Sequence, residues 1–338
     1  MAGPGPSSKV WVMWALLAMI SYATNNFLLG AVAEEAGSSS SKDANLSAII
    51  LVWFIAGVCG AAGWAGLCLK GQPPQFGGVQ NIVLVIAVGV LIAGATLALT
   101  LALASDPDSA GPITAMLPLN SLVVCALAWS ILGERLGVQH LVGMCIAVAG
   151  PICMALADTS SGALQALALG CCTAAVFGTS NLLRKWLATR RRVPNNSLLV
   201  GIFCTIGCVA ILAMIILGAS GRGMRGLDPP RLFFFAVFSG FLWAAGTLFF
   251  QFGLMGLAGP ASAIANTNSV GVLLLQIIFF HPEVKALKVV GMGLCVIGCV
   301  TLSLAPPPPP PAERDVPLTS SAEQGNPQSI SMVEEPKV

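Results

Sequence analysis

The stretch GPITAMLPLNS (residues 111–121) returns as GPASAIANTNS (residues 259–269), 148 residues further along the chain (259 − 111). The Gly, Pro, Ala, Asn and Ser residues of the two stretches stand in register. The same offset pairs Val-Gly-Met at 142–144 with Val-Gly-Met at 290–292. Because polar residues recur on one offset, and not merely Leu or Ala, the two copies indicate an internal duplication.

Two further offsets align other polar positions of the copies. Thr96 matches Thr247 at 151 residues (247 − 96), and Asn26 matches Asn181 at 155 residues (181 − 26). Differences in loop length between duplicated units produce such small drifts. The repeat therefore extends over most of the chain.

The composition is that of a membrane protein. Of 338 residues, 56% are hydrophobic and 9% are charged, and the mean hydropathy is +0.86. A soluble domain carries about 25% charged residues, so a water-soluble fold is excluded. The net charge is only +2, and no basic stripe or zinc-finger spacing supports a nucleic-acid partner.

Long apolar runs divide the chain into membrane spans. A bilayer core about 30 Å thick needs about 20 mostly apolar residues per helix. The runs are continuous, which favours helices over the alternating strands of a barrel. The first run shows no clear signal-peptide cleavage site and is interpreted as a retained span. Ten spans begin near Val10, Ala48, Asn81, Pro112, Val138, Ala163, Ser197, Leu232, Pro260 and Lys288.

The predicted fold class is an all-α membrane protein with ten transmembrane helices arranged as two inverted five-helix repeats. Because each copy has an odd number of spans, the second copy enters the membrane in the opposite orientation, as in many secondary transporters. The predicted domains are an N-terminal cytoplasmic segment (1–9), the first repeat (10–157), the second repeat (158–304) and a proline-rich disordered tail (305–338).

Loop charges predict that both termini are cytoplasmic. On that topology most Lys and Arg residues lie in cytoplasmic loops, above all in ATRRRVPNN (residues 188–196) between the sixth and seventh spans. The stretch GRGMRGLDPPR (residues 221–231), before the eighth span, opposes this orientation. The expected localisation is a membrane, with multi-pass integral topology, and the sequence does not choose between the plasma membrane and endomembranes.

The stretch LGERL (residues 132–136) is followed by Gly143 and Gly150, and Pro118 lies in the preceding span. This pattern resembles the end of an EamA-like domain of the drug/metabolite transporter superfamily. The resemblance covers most of the chain as two five-helix repeats. It implies a transporter and says almost nothing about the substrate.

The resemblance also implies where the solute cavity lies. In such proteins the first, third and fourth helices of each repeat line it, which corresponds here to spans one, three, four, six, eight and nine. The second copy departs from the pattern, because HPE (residues 281–283) stands in place of GER and Asn266 stands in place of the proline.

Charged residues are missing from the middle of the predicted spans. Arg184, Lys185, Glu34 and Glu35 sit at helix ends. A charge at the centre of a span costs roughly 2.5–3.5 kcal/mol and would mark an ion or proton relay. The sequence therefore argues against a carboxylate-based proton carrier and favours a neutral or zwitterionic solute over a strongly anionic one.

No enzyme signature is present, so no catalytic residue is predicted. Neither His140 nor His281 stands at a recognisable spacing from a nucleophile and an acid. Cysteine pairs such as Cys204 and Cys208 are one helical turn apart, but no His or acidic residue accompanies them as a metal ligand. We expect no metal and no cofactor.

Uncharged polar side chains within the spans are the candidate solute-binding groups. A primary amide has donors and acceptors that its own helix cannot all satisfy, whereas Thr can bond to its own helix backbone. Bridging of neighbouring helices is the alternative role, at about 0.6 kcal/mol per hydrogen bond. The predicted substrate-binding residues are Tyr22, Asn25, Asn26, Thr96, Asn120, Ser121, Ser180, Asn181, Thr247, Gln251, Asn266 and Asn268.

These observations predict a multi-pass transporter that moves a small organic metabolite by alternating access through a central cavity between the repeats. The alternative is a non-transporting membrane scaffold or receptor that uses its tail, where six prolines (residues 306–311) predict an extended polyproline II segment. The expected partners are a small-molecule solute and the lipid bilayer, and no nucleic acid. A homodimer and a tail-binding protein stay open.

Overall fold

A computed structural model of the chain describes residues 9–35, 37–105, 117–156, 163–221, 223, 227, 230–281 and 285–306. Within these residues all regular structure is helical. Five segments with sequence predictions lie wholly or partly outside the described residues, and those predictions stay predictions: the N-terminal segment (1–8), the start of the first repeated stretch with Pro112 (111–116), most of GRGMRGLDPPR (222, 224–226 and 228–229), the end of HPE (282–283) and the tail (307–338).

The helices of the described residues are α1 (Val10–Glu35), α2 (Gly37–Leu69), α3 (Val79–Ser105), α4 (Asn120–Leu127), α5 (Val138–Leu156), α6 (Ala163–Thr189), α7 (Asn195–Ala219), α8 (Pro230–Leu254), α9 (Ala258–Asn266), α10 (Asn268–Phe280) and α11 (Ala286–Leu304). A 3-10 turn (Leu117–Leu119) precedes α4, and a π-helical turn (Ala128–Leu132) follows it. Gly133, at φ +72°, ends this segment in the left-handed region, which glycine adopts without a steric cost.

Seven helical stretches of the described residues are long and apolar enough to cross a membrane. They are Val10–Val32, Asp43–Leu69, Val79–Leu99, Asn195–Ala219, Pro230–Leu254, Ala258–Phe279 and Ala286–Leu304. Two shorter apolar stretches, Leu117–Leu132 and Val138–Cys153, and the less apolar α6 fall at the other predicted spans. The chain has a multi-pass helical membrane fold, as predicted. The count of ten spans and the inversion of the repeats stay predictions.

The outer surface of the bundle carries large apolar side chains. Phe234, Ile215 and Phe238 are 67%, 61% and 56% exposed. Extended apolar surface of this kind is rare on soluble monomers. It agrees with a bundle whose outside faces hydrocarbon.

Helices from the two predicted repeats pack against each other throughout the interior. The most extensive pairings are α5 with α11, α1 with α8, and α2 with α7, followed by α2 with α8 and α3 with α6. One large buried apolar cluster includes Trp53 of α2 together with Ile202 and Ile206 of α7. Each predicted repeat is thus covered largely by the other.

The helices α2 and α7 cross at two glycines. Gly57 faces Gly207, and a methyl group on either residue would lie 2.5 Å from the Cα atom of the other. Further along the crossing, Gly63 faces Val200. Residue numbers therefore rise on one helix as they fall on the other, so the pair is antiparallel, and small residues allow the backbones to approach this closely.

The helices α5 and α11 cross in the same manner. Gly150 lies against Cys295, and Gly143 lies against Leu302. This pair is also antiparallel, because the earlier residue on α5 meets the later residue on α11. The repeated Val-Gly-Met triplets lie on α5 and α11, and α2 and α7 carry the second span of each predicted repeat.

Candidate functional site

An irregular turn, called an interruption below, comes directly before a helix start in each half of the chain. In the first half a 3-10 turn around Pro118 gives way to α4 at Asn120. In the second half α9 ends and α10 begins around Thr267, so that α10 starts at Asn268. Asn120 and Asn268 are 148 residues apart (268 − 120), the same offset that relates the repeated stretches. The interruptions therefore fall at equivalent positions.

The two interruptions have different local causes. Pro118 has no N–H to continue a helical hydrogen-bond ladder. At the second interruption the Thr267 hydroxyl donates to the Ile264 carbonyl at 2.7 Å, and the Thr267 N–H donates to the same oxygen at 3.1 Å. Such side-chain bonds to nearby backbone compete with the regular helix.

Four polar side chains next to the interruptions form a buried network, the amide cluster: Asn120, Ser121, Ser262 and Asn266. Asn266 Nδ2 donates to Asn120 Oδ1 at 2.6 Å and to Ser121 Oγ at 2.9 Å. Ser262 Oγ donates to Asn120 Oδ1 at 2.8 Å. The network therefore joins α4 of the first half to α9 of the second half.

Sequence reasoning found three members of the amide cluster and missed Ser262. Ser262 is fully buried and lies in the repeated stretch that contains Asn266. The repeat had already drawn attention to this stretch, and Ser262 carries the one side-chain hydroxyl between Pro260 and Asn266. The sequence could therefore have predicted Ser262 as a site residue.

A second network, the arginine cluster, joins α1, α6 and α8 through Tyr22, Arg184, Thr247 and Gln251. Arg184 Nε donates to Gln251 Oε1 at 2.9 Å, and Nη2 donates to the Thr247 carbonyl at 3.2 Å. The Tyr22 hydroxyl lies 3.2 Å from Thr247 Oγ1. The guanidinium carbon is 5.6 Å from the centre of the Phe250 ring, within the range of a cation–π interaction.

Arg184 corrects an expectation drawn from the sequence. The residue does lie near the end of α6, which stops at Thr189, but its side chain is only 2% exposed because α8 covers it. The three predicted residues Tyr22, Thr247 and Gln251 surround it. The candidate site therefore contains a buried cation where uncharged groups were expected.

The neighbouring residue Lys185 is paired with an acid. Lys185 Nζ forms an ion pair with Glu134, and the two side chains are 6% and 15% exposed. Lys185 also donates to the Gly256 carbonyl. Glu134 Oε2 accepts from the Ala258 N–H at 3.3 Å, which places a carboxylate at the N-terminus of α9, where the helix dipole favours it.

Two predicted residues of α1 lie away from both clusters. The carboxamide of Asn25 is 3% exposed and lies 2.6 Å from the Ser239 hydroxyl of α8. Its other end lies 2.9 Å from the amide of Asn26, which is exposed. Asn25 has the geometry of a bridge between two helices, the alternative role considered for these amides.

The other predicted residues divide into bonded and unbonded side chains. Thr96 and Ser180 donate to carbonyl oxygens of their own helices, Ile92 and Phe177, both at 2.8 Å. Asn181, 6% exposed, and the half-buried Asn268 have no hydrogen-bond partner among the described residues. The unbonded amides retain their capacity for an external ligand.

A cavity of about 420 Å³ lies between α2, α7 and α8. Its lining is apolar apart from Asn196, and it reaches Phe241 and Leu248 on the exposed surface. A binding site needs placed polar groups to fix a polar solute, and the cavity lining includes none of the predicted residues. The two polar clusters are therefore the candidate site. Across the described part of the chain, no three His, Cys, Asp or Glu side chains come together as metal ligands.

Comparison with known proteins identifies the fold. No protein-family model matches the chain, and no curated protein matches its sequence. Among solved structures 28 chains match. One crystal structure superimposes with a TM-score of 0.67 over 87% of this chain and 96% of its own, at 16% sequence identity. At this identity the similarity shows a shared helical fold and assigns no activity.

Proposed function

We propose that the chain is a membrane transporter that moves a small organic solute by alternating access between two inverted five-helix repeats. Transporters of this kind bind solute between the repeats, on interrupted helices whose freed backbone and side chains line the site. The observation that carries the proposal is the pair of interruptions at Asn120 and Asn268, with polar side chains from both halves bonded beside them.

Equivalent helices that run in opposite directions support the inversion of the repeats. The crossing of α2 with α7 and that of α5 with α11 are both antiparallel, as the glycine contacts show. A second copy threaded with the same orientation as the first would place equivalent helices parallel. Inversion places them antiparallel.

Close contacts between the halves also recur when the two copies are exchanged. A glycine of one half contacts a residue of the other half, and the repeat-equivalent positions lie close together as well. Such exchange is expected of a pseudo-twofold relation between the copies. Gly178 faces Val123, and their equivalents Ala23 (178 − 155) and Gly271 (123 + 148) face each other. Gly89 faces Thr205, and its equivalent Gly240 (89 + 151) faces Ile55, again across the two halves.

The EamA-like pattern supports the same function. Its Glu134 forms the ion pair with Lys185 and caps α9, so this motif residue has a role between the two halves. On this basis we propose that the chain is of the drug/metabolite transporter type, and this part of the proposal rests on the sequence pattern alone.

Counterflow into liposomes tests transport directly. Purified protein is reconstituted in vesicles preloaded with pooled unlabelled metabolites, and the uptake of each labelled metabolite is followed. We expect at least one solute to accumulate transiently above the level in protein-free vesicles, and the Asn120→Ala/Asn266→Ala double variant to lose that uptake. If correctly folded wild-type protein exchanges no solute of a broad pool, the transport proposal is rejected.

A further inference from the structure

Among the described residues, only neutral groups hold the buried cation Arg184. It is 2% exposed, and its acceptors are the Gln251 side chain and the Thr247 carbonyl. Within the described residues no carboxylate lies within ion-pair distance of Arg184. The nearby carboxylate of Glu134 forms its ion pair with Lys185. Removing a charge from water is costly unless it is paired, so an unbalanced guanidinium inside a membrane bundle indicates a functional site.

The guanidinium is only partly used by the protein. Nε and Nη2 have acceptors, whereas Nη1 donates to no described residue. Arginine presents its N–H groups as a planar fork that matches the oxygens of a carboxylate or a phosphate. Gln251 and Thr247 hold one side of this fork, and the other side, at Nη1, has no acceptor among the described residues.

Two further donors lie close to Arg184. The Tyr22 hydroxyl lies beside Thr247, whose carbonyl accepts from the guanidinium. Asn181 precedes Arg184 by three residues on α6, a spacing that places side chains on the same helix face. Asn181 is 6% exposed and has no hydrogen-bond partner among the described residues. A cation with hydroxyl and amide donors nearby is suited to an oxyanion.

We propose that Arg184 binds the anionic group of the solute, a carboxylate or a phosphate, with Asn181 and Tyr22 as additional donors. This inference rests on the proposed transport function and names the class of its substrate. It also replaces the preference for uncharged or zwitterionic solutes that the sequence suggested. Neutralisation by the solute would complete the charge balance that the surrounding side chains leave open.

The test measures anion binding separately from transport. Purified protein in neutral detergent is titrated with sodium phosphate or sodium acetate at constant ionic strength set by sodium chloride, and its thermal unfolding temperature is followed. A ligand that binds the folded state raises this temperature, by an amount that grows with the logarithm of the ligand concentration divided by Kd. We expect at least one of the two anions to stabilise wild-type protein, and Arg184→Gln to abolish that stabilisation.

Two variants separate binding from folding. Arg184→Lys keeps the charge and loses the fork, so the apparent affinity should fall by about tenfold, the loss expected for one charge-assisted hydrogen bond. Arg191→Gln removes an exposed cation that lies over Trp186 and should respond to anions as wild type does. If Arg184→Gln fails to fold, the affinity of Arg184→Lys decides, and an unchanged value overturns the proposal.

The remaining outcomes are also decisive. If neither anion stabilises the wild-type protein, the anion site is overturned. Counterflow of uncharged solutes alone would then support transport without an anion site. If an anion stabilises the protein only when Arg184 is present, but no solute is exchanged in liposomes, the anion site is supported and the transport function is rejected. If only vesicles containing phosphatidylglycerol, and neither free anion, stabilise the protein, the oxyanion is a lipid headgroup and the solute assignment is overturned.

Discussion

Asn266 donates a short hydrogen bond to Asn120, from Asn266 Nδ2 to Asn120 Oδ1 at 2.6 Å. The bond connects α9 of the second half with α4 of the first. Because both amides also bond to buried serines, a solute that enters this cluster must replace bonds that the protein already makes. The two asparagines should therefore influence transport more than stability.

Replacing either asparagine of this pair tests that expectation. Asn120→Ala and Asn266→Ala should each lower initial uptake about tenfold, the effect of one lost hydrogen bond to the solute. The loss of helix bridging alone costs only about 0.6 kcal/mol, so the amount of folded protein in the membrane should hold. Thr179→Val, which removes a hydroxyl bonded to its own helix at Ala175, serves as the control. Unchanged uptake in both asparagine variants would exclude the amide cluster from the solute site.

The ion pair between Lys185 and Glu134 should matter for stability. Lys185→Met leaves a largely buried carboxylate without its cation, and the loss of one partner of a buried pair costs about 3–5 kcal/mol. We expect a clear fall in the thermal unfolding temperature of the purified protein. The double variant Glu134→Gln/Lys185→Met should recover part of the loss, since neither charge remains. A double variant as unstable as the sum of the singles would show that the two residues act independently.

The contact of Gly57 with Gly207 predicts a strong steric effect. Gly207→Ala places a methyl group against the backbone of Gly57, and overpacking of this kind typically costs about 1–3 kcal/mol. Gly66→Ala, on the same helix as Gly57 but with no atom within 4 Å of the new methyl group, should be neutral. Thermal stability measured by size-exclusion chromatography distinguishes the two variants. Equal stability would place α2 and α7 further apart than described here.

The two chain ends should face the same side of the membrane. An even number of spans, as in two five-helix repeats, requires this result, whereas seven spans would place the ends on opposite sides. Epitope tags at residue 1 and residue 338, tested for accessibility in intact and permeabilised cells, measure it directly. Tags that become accessible under different conditions would reject the predicted topology.

Deletion of residues 306–338 distinguishes the transporter hypothesis from the scaffold hypothesis. A carrier whose solute site lies in the helical bundle should keep its counterflow rate without the tail. A scaffold or receptor that recruits a protein through the proline run should lose its activity in the cell. Loss of counterflow by the folded, truncated protein would contradict the assignment of transport to the bundle alone.

The sequence was sufficient for the helical membrane fold because continuous apolar runs have few alternatives in lipid. It was also sufficient to mark Asn120, Ser121 and Asn266, since the repeat distinguishes polar residues that recur from those that do not. Their meeting in one cluster depends on how α4 packs against α9, which no local pattern specifies. The sequence did not predict the break at Thr267 either, because neither proline nor glycine, the residues typical of helix breaks, occupies this position.

Arg184 shows why the chemistry of the site was harder to predict than the fold. In the sequence it stands six residues before the cationic run that starts at Arg190 (190 − 184), and the whole region looks like a helix end in water. Its burial results from Gln251 and Phe250 on α8, which lie more than 60 residues away along the chain. Its neighbour Lys185 has the same local sequence but forms an ion pair with Glu134, whereas Arg184 has no acidic partner among the described residues. Only tertiary packing makes this difference.

Where Gly57 touches Gly207, the helices α2 and α7 have no side chains to interlock. In ordinary helix pairs the ridges of one helix fit the grooves of the other and fix the crossing angle. A bare backbone contact imposes no such angle, and tilting about it requires no rotamer to change. At this one point, a change of tilt between the two helices, as the proposed alternating access would need, meets no side chain that has to change its rotamer.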